Sequence, residues 1–211
     1  MTVVAAFDVD GTLTTRDCVV PFMCHVRGTA SLLSRLALRA PRLVLPVIRY
    51  DRNAIRAVGT RAALAGIRHD QLVTEAERFA AVVAAERMRH DTVARLVWHR
   101  EQGHRVVLVS ASFEVYLEPL AALLGADAAL GTRIEVGPDG VCTGALSGSN
   151  CRGAEKVRRL HDWLDEHHGG RGAVEVWAYG DSAGDRELLA DADRSHWASG
   201  PIGNVSPTGH G

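Results

Sequence analysis

A short apolar run near the start of the chain ends in two carboxylates that are separated by a single residue. The segment 3–7 is apolar and β-branched enough to predict a buried strand. Asp8 and Asp10 follow it directly, beside Gly11, where a backbone without a Cβ can turn sharply. Acidic side chains are disfavoured in an apolar core, but α/β proteins carry their active sites just beyond the carboxyl ends of the strands. The feature therefore predicts an α/β fold with a reactive site at one edge of its sheet.

Two neighbouring acids offer a defined chemistry. One carboxylate can act as a nucleophile and the other as a general acid and base, and together they attract a hard cation such as Mg²⁺. A calcium-binding loop is the alternative, and it requires acidic or amide ligands at its fifth position and a Glu at its twelfth. Counted from Asp8, those positions hold Thr12 and Val19. The spacing therefore excludes the calcium loop.

Nearly all of the basic residues in this chain are arginines. Of the 24 Lys and Arg residues, 23 are Arg, and Lys156 is the only lysine. A compact ammonium on a flexible stem can place a point charge on a phosphoryl oxygen or a carboxylate, which a planar guanidinium does less well. Chance survival on a solvated helix face is the alternative. We interpret Lys156 as a functional residue.

Two further strands are predicted to end in polar residues. The segment 105–112 is apolar up to Ser110, and a helical pattern follows at 113–124, so a hydroxyl and free backbone N–H groups can form an anion site there. A simple Ser cap of the helix is the alternative. The strand predicted at 174–179 is followed by Gly180 and Asp181, with Asp185 four residues further on. Each feature alone permits a turn or a helix cap.

The order of these motifs along the chain resembles that of the haloacid dehalogenase-like superfamily of phosphohydrolases, and within it the phosphoserine phosphatase-like subgroup (subfamily IB). The motifs that carry the resemblance run from the first acid pair to about residue 190. They are Asp8-Val9-Asp10-Gly11-Thr12, Ser110 after its strand, Lys156, and Gly180-Asp181-Ser182-Ala183-Gly184-Asp185. The resemblance implies a phosphatase with a Rossmann-like core of parallel strands.

The resemblance also implies a role for each residue. Asp8 would be the nucleophile that forms an aspartyl-phosphate, and Asp10 would protonate the leaving alcohol and then activate water. Mg²⁺ would lie among Asp8, the backbone carbonyl of Asp10, and Asp181. Asp185 would either support that metal or orient Lys156. The predicted site residues are: catalytic, Asp8, Asp10 and Lys156; metal, Asp8, Asp10, Asp181 and Asp185; phosphate and substrate, Ser110, Ala111, Thr12, Asp17 and Arg56.

The assignment of the basic residue has an alternative, because Arg152 lies four residues before Lys156. Such a shift keeps both residues on one helix face only if the helix begins early, and Gly153 argues against that. We prefer Lys156. The resemblance also implies that Thr12 would help to order the loop after the acids.

The pattern predicts a doubly wound parallel sheet with a helical insertion. Residues 1–14 and 100–198 are assigned to the phosphatase core, 15–99 to a helical cap that selects the substrate, and 199–211 to a flexible tail. Apolar residues at helical spacing predict helices at 31–40, 53–65, 70–89, 155–168 and from 186, and a β-hairpin at 132–136 and 141–146. The family calls such an insertion a cap, and the resemblance implies that it would close over the site and exclude water.

The charge and the cysteine content of the chain limit the classes of partner and the compartment that we expect. The net charge of −1 gives no electrostatic case for a nucleic acid. The four cysteines form no C-x-x-C pair, and the N-terminus predicts no signal peptide, so we expect a cytoplasmic protein. The oligomeric state is left open.

We expect the substrate to be a small phosphate ester. In the subgroup an acid soon after the first motif contacts the substrate amine, and Asp17 stands there in place of the expected Glu. Arg56 is a candidate for a second anionic group. The Leu- and Arg-rich stretch 32–48 supports a second hypothesis, a lipid-phosphate phosphatase at a membrane surface. The sequence is also compatible with a non-catalytic phospholigand-binding module and with a phosphotransferase.

Overall fold

The computed structural model describes residues 1–38, 52–198 and 200. Most of the Leu- and Arg-rich stretch, the end of the helix predicted at 31–40, and nearly all of the predicted tail lie outside the described residues. The side chains of residues 52 and 53 are likewise not described.

Within the described residues, five strands form a parallel sheet. From one edge to the other the strands are β3 (Ala128–Thr132), β2 (Arg105–Phe113), β1 (Thr2–Phe7), β6 (Val174–Gly180) and β7 (Arg194–Trp197). Phe7 pairs with Leu108 on one side and with Tyr179 on the other. The carboxyl ends of the three central strands therefore lie next to each other at one edge of the sheet.

Helices surround this sheet, and a two-stranded hairpin lies apart from it. The helices described are α1 (Val19–Arg27), α2 (Thr29–Ala37), α3 (Arg52–Leu64), α4 (His69–Glu86), α5 (His90–Glu101), α6 (Glu114–Leu124), α7 (Ala154–His168) and α8 (Arg186–Asp191); the hairpin pairs β4 (Ile134–Val136) with β5 (Cys142–Leu146). The predicted α/β class, with a parallel sheet and a small hairpin, is confirmed. No helix in the described ranges is long and apolar enough to span a bilayer.

The sheet is covered on both faces because β1 is apolar on both. Val4 and Ala6 are buried in one apolar cluster with Leu160 of α7 and Leu188 of α8. Ala5 and Phe7 belong to a larger cluster on the opposite face, which includes residues of α1, α4, α5 and α6. A strand that is buried on both faces reads as a continuous apolar run, as segment 3–7 does.

Helices α1 to α4 pack on one another, on α6 and on the hairpin, whereas α5 packs on β2. Phe22 of α1 lies with its ring centroid 5.2 Å from that of Phe79 in α4 and 4.7 Å from that of Tyr116 in α6. Helix α3 packs against β5. The division into a core and a 15–99 cap stays a prediction.

The sequence missed two strands and misplaced a third, and helices α1 and α5 were not among the individual helices that it predicted. Strands β3 and β7 were not predicted, and Thr132 ends β3 instead of starting the hairpin, whose first strand is Ile134–Val136. The segment of β3, Ala-Ala-Leu-Gly-Thr, is poor in the β-branched residues that mark strands, and β7 is a mostly exposed edge strand. Pairing with a neighbouring strand, which is a tertiary effect, overrides these local signals.

Candidate active site

The loop after β1 carries the first acid pair. The backbone N–H of Asp8 donates to the carbonyl of Tyr179 at 2.9 Å, which extends the strand pairing by one residue. A helical turn over Val9–Leu13 follows, and Gly11 has a φ of +86°. A Cβ on Gly11 would lie 2.3 Å from Oδ2 of Asp181. Glycine therefore allows both the turn and the close approach of Asp181.

A cavity of about 320 Å³ opens at this edge of the sheet. It is lined by Asp8, Asp10, Gly11, Asp17, Arg56, Ser110, Ala111, Arg152, Lys156, Asp181, Ser182, Gly184 and Asp185. The structure thus brings together all but one of the residues proposed from the sequence for catalysis, metal and substrate. The exception is Thr12, which is buried behind the cavity and donates its hydroxyl to Oδ1 of Asp181 at 3.1 Å.

Lys156 lies between two carboxylates. Its Nζ is 2.6 Å from Oδ1 of Asp8 and 2.6 Å from Oδ1 of Asp185, and all three residues are buried. Burial acts to lower the pKa of Lys156, but the two carboxylates outweigh burial and leave that pKa raised. The ammonium is therefore protonated at neutral pH, and it holds the nucleophile candidate in place.

The pKa values of the two carboxylates that contact Lys156 shift in opposite directions. Burial raises the pKa of Asp8 to about 7, against the opposing effect of the Lys156 ammonium, and the nearby Asp185 and Asp10 add to the rise. For Asp185, burial also acts to raise the pKa, but Lys156 and the hydrogen bonds from Ser182 hold it below its usual value. Asp185 is therefore the fixed counter-ion of Lys156.

Three carboxylates gather near the bottom of the cavity. One oxygen each from Asp8, Asp181 and Asp185 lies within 4.8 Å of the other two. Burial raises the pKa of Asp181, the hydrogen bond from Thr12 opposes the rise, and the negative charge of Asp185 adds to it. The carboxylate of Asp10 is not part of this cluster.

Asp10 is instead held by hydrogen bonds from the backbone just before α1 and from a side chain of β2. Its Oδ1 accepts the backbone N–H of Cys18 at 2.9 Å, and its Oδ2 accepts the hydroxyl of Ser112. Burial raises the pKa of Asp10 to about 6, and the hydrogen bond from Ser112 limits the rise. A carboxyl group with such a pKa can hold a proton near neutral pH and release it again.

The last residues of β2 form another part of the cavity wall, beside the end of β1. Ser110 is buried, lines the cavity, and accepts the backbone N–H of Ser112 at 3.1 Å. The carbonyl of Ala111 accepts hydrogen bonds from Arg56 and, at 2.8 Å, from Thr132. These contacts fix the backbone of β2 where it meets the cavity.

The other charged residues lie elsewhere on the cavity wall. Asp17 is exposed, and its Oδ1 accepts the backbone N–H of Val19 at 2.9 Å in the first turn of α1. The guanidinium of Arg56 lies 5.0 Å from the ring centroid of Phe113, and burial lowers the pKa of Arg56. Arg152 lies over Gly184, where a Cβ would be 2.8 Å from its Nη1. Arg152 thus lines the cavity without the contact to Asp8 that Lys156 makes.

Three residues of this site were not proposed from the sequence. Ser112 and Tyr116 form a hydrogen-bonded chain to Asp10, and Ser182 donates its hydroxyl to Asp185 at 2.8 Å. The alternation of Ser110 and Ser112 along one strand, with Tyr116 one helical turn later, was the available signal. The partner of Ser112 is 102 residues away, so the sequence alone did not identify it.

Comparison with known proteins identifies the family of this chain. The sequence profile of the haloacid dehalogenase-like hydrolases matches residues 5–190, so this chain belongs to that family. It is 38% identical over 190 residues to protein CicA of Caulobacter vibrioides, an alignment that covers 89% of this chain and 82% of CicA. It is also 31% identical over 96 residues to a histidinol-phosphatase of Neisseria meningitidis serogroup C, covering 43% and 41% of the two chains.

Solved structures share the fold. A protein of unknown function from Bordetella pertussis Tohama I superposes with a TM-score of 0.73 at 24% identity, covering 92% of this chain and 89% of that chain. A substrate-bound phosphoserine phosphatase gives a TM-score of 0.60 at 17% identity, with coverage of 92% and 85%. The predicted family is confirmed: the chain is a haloacid dehalogenase-like hydrolase with the fold of the phosphoserine phosphatases.

Proposed function

We propose that this protein is a Mg²⁺-dependent phosphomonoesterase that works through an aspartyl-phosphate on Asp8. The observation that carries the proposal is the contact of Lys156 with both Asp8 and Asp185 at the bottom of the cavity. A buried carboxylate held by a buried ammonium, beside a second carboxylate whose pKa is about 6, supplies a nucleophile and a proton donor in one site.

The donor set fits a hard divalent cation. Asp8, Asp181 and Asp185 offer only oxygen ligands, and only one ammonium balances their three carboxylates. These three residues would hold Mg²⁺, together with the backbone carbonyl of Asp10. When bound, Mg²⁺ neutralises charge so that an anionic phosphate can approach an anionic nucleophile.

The first chemical step transfers the phosphoryl group to the protein. An oxygen of Asp8 forms a bond to phosphorus as the bond from phosphorus to the leaving oxygen breaks. Asp10 gives its proton to that leaving oxygen, which departs as an alcohol. Lys156, beside Asp8, balances negative charge on the transferring group.

The second step returns Asp8 to its carboxylate form. Asp10, now ionised, accepts a proton from a water molecule whose oxygen attacks phosphorus. The bond between phosphorus and Asp8 breaks, and inorganic phosphate is released. The hydroxyl of Ser110 and the backbone at Ala111 would bind phosphate oxygens in both steps, because both residues line the same cavity as Asp8.

The lining of the cavity supports a small substrate with an amine. Phosphoserine and histidinol phosphate, the esters in the names of two similar proteins, are both phosphates of small amino alcohols. Asp17 offers a carboxylate to such an ammonium at the cavity wall, and Arg56 offers a guanidinium to a second anionic group. A phosphoserine-like metabolite is therefore the substrate class that we propose.

Phosphate release from a panel of esters, with Mg²⁺ and with EDTA, tests the function. The panel holds phosphoserine, histidinol phosphate, a sugar phosphate, a nucleotide, phosphatidylglycerol phosphate and lysophosphatidic acid. We expect Mg²⁺-dependent release that is strongest with an amino-alcohol phosphate. Release only from the two lipids would support a lipid-phosphate phosphatase, and Mg²⁺ binding without any release would favour a phospholigand-binding module.

A further inference from the structure

The carboxylate of Asp10 has a fixed hydrogen-bond partner on each oxygen. The backbone N–H of Cys18 donates to Oδ1 at 2.9 Å, and the hydroxyl of Ser112 donates to Oδ2. Ser112 is fully buried and does not line the cavity, whereas Asp10 does. Ser112 therefore acts on Asp10 from behind, on the side away from a bound substrate.

A second hydroxyl fixes the direction in which Ser112 donates. The hydroxyl of Tyr116 donates to Oγ of Ser112 at 2.5 Å. Because a serine hydroxyl has one proton, a serine that accepts from Tyr116 gives its own proton to Asp10. Burial raises the pKa of Tyr116 well above its usual value, and the nearby charge of Asp10 adds to the rise, so the phenol keeps its proton. The chain thus runs one way, from Tyr116 to Ser112 to Asp10.

This chain limits where Asp10 can carry a proton. A carboxylate has about four lone-pair positions, and the two donors occupy one on each oxygen. A proton on Asp10 must then use a position that faces neither Cys18 nor Ser112. Asp10 lines the cavity, so the remaining positions include those on the substrate side.

We propose that Ser112 and Tyr116 are positioning residues that aim the Asp10 proton at the leaving oxygen. The inference rests on the proposed function, since it concerns the step in which Asp10 gives that proton as the bond between phosphorus and the leaving oxygen breaks. It predicts a defect that depends on how much the leaving group needs a proton. A nitrophenolate is a good leaving group and departs without a proton, whereas an alkoxide must be protonated as it leaves.

Two esters of similar size separate this role from a structural one. We would measure kcat/KM with Mg²⁺ for 4-nitrophenyl phosphate and for 4-nitrobenzyl phosphate, because kcat/KM reports the step that releases the alcohol. The variants are Ser112→Ala and Tyr116→Phe. The matched control is Tyr179→Phe, which removes another buried tyrosine hydroxyl, one that lies 2.8 Å from His99 and does not contact Asp10.

We expect Ser112→Ala to lower kcat/KM about 30-fold for the benzyl ester and less than about threefold for the phenyl ester. The loss on the benzyl ester is part of the rate gain that general acid catalysis gives. Tyr116→Phe should lower kcat/KM about fivefold for the benzyl ester alone, which corresponds to the loss of one hydrogen bond. Tyr179→Phe should change both esters equally. If Ser112→Ala does not fold, as judged by its thermal unfolding, Tyr116→Phe carries the same comparison.

Equal losses on the two esters, or no loss on either, would overturn the positioning role while leaving the phosphatase assignment intact. A wild-type protein that releases no phosphate from either ester would overturn the proposed function, and the positioning role with it. The two failures are therefore distinguishable by the activity of the wild-type protein on the phenyl ester.

Discussion

Nζ of Lys156, the single lysine of this chain, lies 2.6 Å from Oδ1 of Asp8. The same ammonium reaches Asp185, so one cation joins the loop after β1 to the loop after β6 through α7. Both carboxylates and the ammonium are buried, and the interaction is therefore little screened by solvent. This contact connects the catalytic proposal to the stability of the site.

Replacing Lys156 tests that connection. Lys156→Ala should lower kcat by about 10²-fold to 10³-fold, because charge on the transferring phosphoryl group loses its partner. Its free energy of unfolding in EDTA should fall by about 3 kcal/mol, because two buried carboxylates lose their counter-ion. Arg152→Ala is the matched control and should change kcat by no more than about fivefold. A larger loss in Arg152→Ala than in Lys156→Ala would assign the role to Arg152.

Gly11 should be required for a steric reason in addition to its backbone conformation. Gly11→Ala places a Cβ 2.3 Å from Oδ2 of Asp181, whereas Gly103, with a φ of +73°, has no atom within 4 Å of such a Cβ. Both substitutions should cost about 1–2 kcal/mol of unfolding free energy through backbone strain.

Only Gly11→Ala should also weaken Mg²⁺ binding, which is measured by calorimetric titration of the metal. Equal metal affinity in Gly11→Ala and Gly103→Ala would argue that Asp181 does not contribute to the metal site.

Asp17 should affect the choice of substrate more than the rate of the reaction. Asp17→Asn removes the charge offered to a substrate amine, and an exposed charge contact is worth about 1 kcal/mol or less. We expect kcat/KM for phosphoserine to fall about fivefold relative to 4-nitrophenyl phosphate. The ratio of the two kcat/KM values is the measurement, and an unchanged ratio would speak against a role in specificity.

His99 should make the protein less stable in acid. The ring is fully buried, with Nδ1 2.8 Å from Nδ1 of His104 and Nε2 2.8 Å from the hydroxyl of Tyr179. Burial lowers the pKa of His99 to about 3, and the charges of His104, Arg95 and His196 act in the same direction. Between pH 3 and 6.5 the unfolded chain therefore binds more protons at this residue than the folded chain.

The free energy of unfolding should accordingly fall as the pH drops through this window, by about 2–3 kcal/mol between pH 7 and pH 4 from His99 alone. Chemical denaturation at each pH measures it. His99→Gln cannot titrate, so its stability should depend less steeply on pH than that of the wild type. Parallel pH dependences for the two proteins would show that His99 does not carry the effect.

The sequence predicted the fold class, and it named most of the charged residues that line the cavity, because those signals are local. Strand ends with Asp8, Ser110 and Asp181 meet at one edge of any parallel sheet, and the family resemblance gave their order. The strand at 128–132 was missed because its residues have weak strand preferences. The contact between Ser112 and Asp10 was missed because it depends on how the loop after β1 packs against the end of β2.

Trapping the phosphoryl group on the protein tests the central claim most directly. In Asp10→Asn the general base is lost, but 4-nitrophenyl phosphate can still transfer its phosphoryl group without a proton donor. We therefore predict a burst of one nitrophenolate per protein molecule, with Mg²⁺ present, and an acid-quenched phosphoryl adduct on Asp8 by peptide mass spectrometry. An adduct on another residue, or substantial turnover by Asp8→Asn, would contradict the account.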